Sequence, residues 1–162
     1  HPGHIMLSSP NLPGISISDD NISVISKRAF INAALPYNSK LGEYFGGIAL
    51  HTCGDFKQNY ETVKHVKNLM LVDCHVSGAD PQPNDPRKLA EAFAGSGIIL
   101  KVGIGPGEEH WGDLEALIRP DLRLMVQTAS DGDILKSNDL YERLKERCQK
   151  ILALKNLHGD AV

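Results

Sequence analysis

Five short apolar stretches of the chain read as strands, and each is followed by a segment that reads as a helix. The first, Gly14-Ile-Ser-Ile-Ser-Asp-Asp20, sets Ile15 and Ile17 against Ser16, Ser18 and Asp20, the signature of a strand with two unlike faces. Further strands are predicted over 47–53, 69–75, 98–102 and 122–127. A helix is predicted from Ser26, a capping residue, through Phe30, Leu35, Leu41 and Phe45, interrupted at Pro36 and stopped by Gly46-Gly47. Others follow over 60–67, from Asp85 and Pro86 to Gly95, over 113–118, and over 138–157. Strands alternating with helices predict an α/β fold built from parallel βαβ units.

Side-chain parity chooses between an open doubly wound sheet and part of a barrel. On the second strand Ile48, Leu50 and Thr52 share one face, and Gly47, Ala49, His51 and Cys53 share the other. The first strand repeats this contrast, and so does Lys101 against Leu100 and Val102. A doubly wound sheet buries both faces under helices and needs apolar residues on both. One aliphatic face and one small-then-polar face instead predict a barrel wall opening at its C-terminal mouth. A complete eight-stranded barrel takes about 250 residues, so a chain of 162 residues with five strands is expected to be a partial one.

Composition narrows the function classes. With 17 basic and 20 acidic side chains the formal charge is −3, which offers no electrostatic footprint for nucleic acid or an anionic membrane. The longest apolar run, near Gly46 to Leu50, falls far short of the roughly 20 residues of a membrane helix. Cys53, Cys74 and Cys148 are odd in number and irregularly spaced, which argues for a reducing compartment over a disulfide framework. A soluble, cytoplasmic protein acting on a small molecule is expected. Cys148 lies in helical register with Leu140, Leu144 and Ile151 and reads as core.

The candidate chemistry gathers at strand ends. His51-Thr52-Cys53-Gly54 places an imidazole and a thiol at i and i+2, on one strand face, where both could bind one tetrahedral Zn²⁺. Gly54 then lets the chain turn away. A third ligand is needed, and the next strand ends in Cys74-His75. Parity puts Asp73 and His75 on the inner face, opposite Met70, Val72 and Cys74, which favours His75; strand ends deviate, so Cys74 stays open, as does His110. Asp19 and Asp20 end the first strand, where a carboxylate binds substrate, orients a ligand or transfers a proton, or simply caps a solvated loop. Gly103-Ile-Gly-Pro-Gly107 resembles a phosphate loop, but Glu108 and Glu109 follow it and repel anions, so it reads as a mobile loop.

Ser18-Asp19-Asp20, Phe30 with Leu35-Pro36-Tyr37, and Tyr44-Phe45-Gly46-Gly47-Ile-Ala-Leu-His51-Thr-Cys53-Gly54 together resemble the C-terminal half of the uroporphyrinogen decarboxylase superfamily. The resemblance runs from about Gly14 to the final helix. It implies a partial (β/α)8 TIM barrel, about strands 4 to 8, with residues 1–13 as a leading loop in one barrel domain. The H-x-C-G motif is similar to that of the zinc- and corrinoid-dependent methyltransferase branch, which implies His51 and Cys53 as zinc ligands and methyl transfer from a corrinoid donor to a thiol. That branch places another cysteine at the end of the last strand, where this chain reads Gln127-Thr128-Ala129-Ser130-Asp131, so the remaining ligand is expected among Cys74, His75 and Asp131. Two other readings stand beside it: a cofactor-free tetrapyrrole decarboxylase using Asp19 or Asp20, and a catalytically degenerate barrel that only binds a ligand. The expected partners are a corrinoid protein and either a missing N-terminal half or a second copy, since open strand edges invite pairing.

Overall fold

The computed structural model describes residues 13–77, 80–129 and 132–159, with side chains as far as Lys155. Most of the leading segment, and Asp131, therefore lie outside the described residues.

Five strands form one all-parallel sheet in chain order: β1 (Ile15–Ser18), β2 (Ile48–His51), β3 (Leu69–His75), β4 (Ile99–Ile104) and β5 (Arg123–Thr128). Right-handed crossovers that always step the same way along a sheet put every helix on the same face, and the core shows this arrangement. Ile48, Leu50, Val72, Cys74, Leu100 and Val102 pack with Phe30, Tyr60, Leu89, Phe93, Leu114 and Leu144 in one cluster. Among the described residues the opposite face buries only a small apolar cluster, Ala49, Leu71 and Ile99. Beyond this group, toward the strand ends, the same face becomes polar. The two faces thus differ as the parity of the sequence predicts.

Local chemistry explains the connections. Ser26 caps α1 (Lys27–Ala29) by accepting the Ala29 N–H at 3.2 Å. The helix then widens into a π segment (Phe30–Ala34) before α2 (Leu35–Phe45). Pro36 lacks an N–H and its ring crowds the preceding turn, so the wider turn accommodates it without breaking the helix. Gly46, at φ 75°, ends α2 in the left-handed conformation. A 3-10 turn (Lys57–Asn59) leads into α3 (Tyr60–Val63), shorter than the sequence predicts. Asp85 caps α4 (Pro86–Phe93) through the N–H groups of Arg87 and Lys88. A 3-10 segment (Glu108–Asp113) precedes α5 (Leu114–Leu117), and α6 (Ile134–Gly159) returns over the sheet. Cys148 packs half-buried against the core.

Two strand details differ from expectation. The register shifts between Ile48 and Ala49, and Met70 lies against Gly47, whose Cβ would stand 2.4 Å from its sulfur, instead of joining Val72 and Cys74. Strand β4 runs on through Gly103 to Ile104, so the start of the expected glycine loop is sheet. Among the described residues no helix is long and apolar enough to cross a membrane.

Candidate metal centre

Strand register creates the site. His51 on β2 pairs with Asp73 on β3, and Asp73 with Lys101 on β4, so three polar side chains stand in a row on the face without helices. Asp73 is 3% exposed and His51 2%. The Asp73 Oδ2 lies 3.0 Å from His51 Nδ1 and 3.1 Å from Lys101 Nζ. A buried carboxylate accepting from Nδ1–H fixes the histidine tautomer and leaves the Nε2 lone pair as the outward donor. That nitrogen stands 3.3 Å from Cys53 Sγ and 3.9 Å from Asp20 Oδ1.

The loops after β1 and β2 are tied together around this atom. The Cys53 N–H donates to Asp20 Oδ1 at 2.9 Å, and the Gly54 N–H to Asp80 Oδ2 at 2.6 Å. Gly54, at φ 80°, makes the turn that leaves Cys53 exposed at the rim. Asn84, 1% exposed, holds the second and third loops as a unit. Its Nδ2 donates to the carbonyls of Gly54 and His75, and its Oδ1 accepts from the Phe56 N–H and the Tyr60 hydroxyl. Two groups of donor atoms result, each mutually within 4.8 Å: Asp20, His51 and Cys53, and Cys53, His75 and Asp80. Cys53 belongs to both.

Gly103 on β4 and Gly105 just after it have a concrete role here. A Cβ on Gly103 would stand 2.3 Å from His75 Cδ2, and one on Gly105 would stand 2.2 Å from His110 Cδ2. Both imidazoles lie against backbone that has no side chain. The His75 and His51 rings meet edge to face at 5.9 Å.

Electrostatics suit a cation. Burial pushes the Cys53 thiol above its ordinary pKa, and the carboxylates of Asp20, Asp80 and Asp73 push it the same way. A thiolate surrounded by carboxylates needs a positive charge to form, and a coordinated divalent ion would supply it. The donor set of imidazole, thiol and carboxylate is that of zinc and neighbouring transition metals.

The sequence-expected residues divide accordingly. His51, Cys53, His75 and Asp20 converge. Asp19 does not: its Oδ2 accepts from Asn38 Nδ2 at 3.1 Å, away from both donor groups. Cys74 is fully buried in the helix-side core, where burial drives its thiol pKa strongly upward, and it belongs to neither donor group. His110 rests on Gly105 outside both groups. Parity places Asp73 on the inner face, but its register with His51 and Lys101 is a relation between strands that parity does not give. Asp80 and Asn84 lie in an irregular segment that gives no periodic signal. Compared with known protein families, with curated proteins and with solved structures, the chain finds no match.

Proposed function

We propose that the chain is the C-terminal part of a (β/α)8 barrel of the uroporphyrinogen decarboxylase superfamily. In this reading its mouth holds zinc on Asp20, His51 and Cys53 and serves methyl transfer from a corrinoid-type donor to a thiol. Support for the barrel comes from the unreversed strand order and the polar, helix-free face. Support for the chemistry rests on one observation: the buried Asp73 carboxylate that turns His51 Nε2 toward Cys53 and Asp20. Zinc bound there would act as a Lewis acid, lowering the pKa of an acceptor thiol so that it reacts as the thiolate.

The chain's own residues prepare that chemistry. Asp73 fixes the His51 tautomer, and Lys101 balances the Asp73 charge inside the wall. Asp20 uses Oδ1 to hold the Cys53 N–H while its Oδ2 accepts from the Ser18 hydroxyl at 3.4 Å. The test is methyl transfer from methylcobalamin to a small thiol, with zinc measured by elemental analysis. The expected result is that His51→Ala and Cys53→Ser lose zinc and transfer together. Full transfer by chelator-treated, zinc-free protein would overturn the reading, and turnover of a tetrapyrrole under those conditions would favour the decarboxylase.

A second reading has its own observation. Cys53, His51 and Asp73 form a thiol–imidazole–carboxylate relay with steps of 3.3 and 3.0 Å, the arrangement of a cysteine nucleophile with its base and orienting acid. Two features weigh against it. The amides nearest the thiol, of Cys53 and Gly54, already donate to Asp20 and Asp80 and leave no oxyanion hole there. The surrounding carboxylates also disfavour a metal-free thiolate. Chelation separates the two readings, since a relay keeps its activity without metal.

A further inference from the structure

We propose that the mouth binds a second divalent cation, held by His75 and Asp80, with the Cys53 thiolate bridging it to the ion on Asp20 and His51. The proposal rests on the zinc site above and extends it to two metals.

Three observations carry it. First, Cys53 Sγ belongs to two donor groups, and the second, with His75 and Asp80, comes from a different strand and a different loop from the first. Bonds of about 2.0 to 2.3 Å around zinc require donor atoms to sit a few ångströms apart, and both groups meet that spacing. Second, His75 Nδ1 is buried and has no hydrogen-bond partner among the described residues. A buried nitrogen without a partner is costly to keep; yet the chain keeps the ring in place by presenting Gly103, where any side chain would collide with it. A metal bound through Nδ1 would give that nitrogen the partner it lacks and leave the proton on Nε2, so coordination would account for an imidazole kept in that position. Third, charge balance favours two ions. The Asp20 and Asp80 carboxylates and the Cys53 thiolate sum to three negative charges, while the nearby Lys101 ammonium is engaged by Asp73. One divalent ion leaves the mouth anionic. Two leave it with one net positive charge, suited to an anionic acceptor such as a thiolate.

Asp80 can serve without giving up its structural role. Its oxygens accept from the N–H groups of Gly54 and Gln82, and a carboxylate has lone pairs left for a metal. These amide bonds hold the carboxylate beside Cys53 before any ion arrives.

The test is titration of chelator-treated, reduced protein with Co²⁺, following thiolate-to-cobalt absorption and bound metal by elemental analysis. Circular dichroism checks the fold of each variant. The wild-type protein should take up two ions per chain, and His75→Ala and Asp80→Asn should each lower this to one while keeping the thiolate–cobalt band. Cys53→Ser should lose the band and weaken both sites. A wild-type stoichiometry of one that survives His75→Ala and is lost in His51→Ala overturns the second site and leaves the first. A single ion lost in both variants means one shared site and overturns the proposal. A single ion lost in His75→Ala but indifferent to His51→Ala overturns the zinc site proposed above as well as the pair.

Discussion

Asp73→Asn separates the role of Asp73 as an orienting group for His51 from its role as a partner of Lys101. The substitution keeps the side-chain volume and removes the charge. Lys101 then stays in a wall where its side chain is only 12% exposed, without that carboxylate. One-sided removal of a buried ion pair costs about 3–5 kcal/mol, and the remaining solvent access places this case near about 3 kcal/mol. For a domain of this size that lowers the melting temperature by about 6–12 °C. Loss of the Nδ1 acceptor charge acts separately on metal affinity, which falls about 10- to 100-fold when such a supporting partner of a histidine ligand is changed. The double variant Asp73→Asn, Lys101→Met distinguishes the two effects. Chemical denaturation should show most of the stability recovered, because the unbalanced ammonium is gone, while zinc competition against a chromophoric chelator should still show the weakened affinity. If zinc binds the double variant as tightly as the wild-type protein, Asp73 does not act through His51 and the argument for the centre fails.

Other outcomes follow from the same geometry. Metal-free Cys53 should alkylate with a midpoint above the ordinary thiol value of about 8.5, because burial and the Asp20 and Asp80 carboxylates raise its pKa; Asp20→Asn should move the midpoint down, and zinc should protect the thiol. The sign for stability is the same: the folded thiol holds its proton more tightly than the unfolded one, so its contribution is complete below the unfolded pKa and fades as pH rises through the folded value. A midpoint below the ordinary thiol value would contradict this account. Gly103→Ala forces a Cβ to within 2.3 Å of the His75 ring and should cost about 1–3 kcal/mol, whereas Gly105→Ala meets a His110 side chain that is 32% exposed and can swing aside, so denaturation should show the smaller loss. Asn84→Ala removes four hydrogen bonds, each worth about 1 kcal/mol, and should destabilise the fold by about 4 kcal/mol; a loss below 1 kcal/mol would show that the loops are held by other contacts.

The parts of the fold legible in the sequence were those with a period. Short apolar stretches place all five strands to within a few residues, and the caps at Ser26 and Asp85 act as their sequence context predicts. Parity separated Asp73 and His75 from Cys74, because that difference is a property of one strand alone. Register is a relation between strands, and nothing within 69–75 or 98–102 announced that Asp73 would lie between His51 and Lys101. The same limit explains Gly103, which reads as loop because glycine is usual there, whereas it makes room for an imidazole from the neighbouring strand; Gly105 does so for His110, five residues on. Asp80 and Asn84 act through loop carbonyls and amides that carry no pattern of apolar residues.

The strand order also bears on how the centre comes together during synthesis. Each strand pairs only with its neighbours in the chain, and contacts between near neighbours form faster than those that must close long loops. All five donor residues lie between residues 20 and 80, and the asparagine that ties their loops follows at 84. A nascent chain in which β1 to β3 and the following loop have left the ribosome therefore has the whole ligand set within reach before β5 and α6 are made. Lys101 arrives one strand later, so an ion captured early would be bound by a half-built wall and tightened when the fourth strand docks.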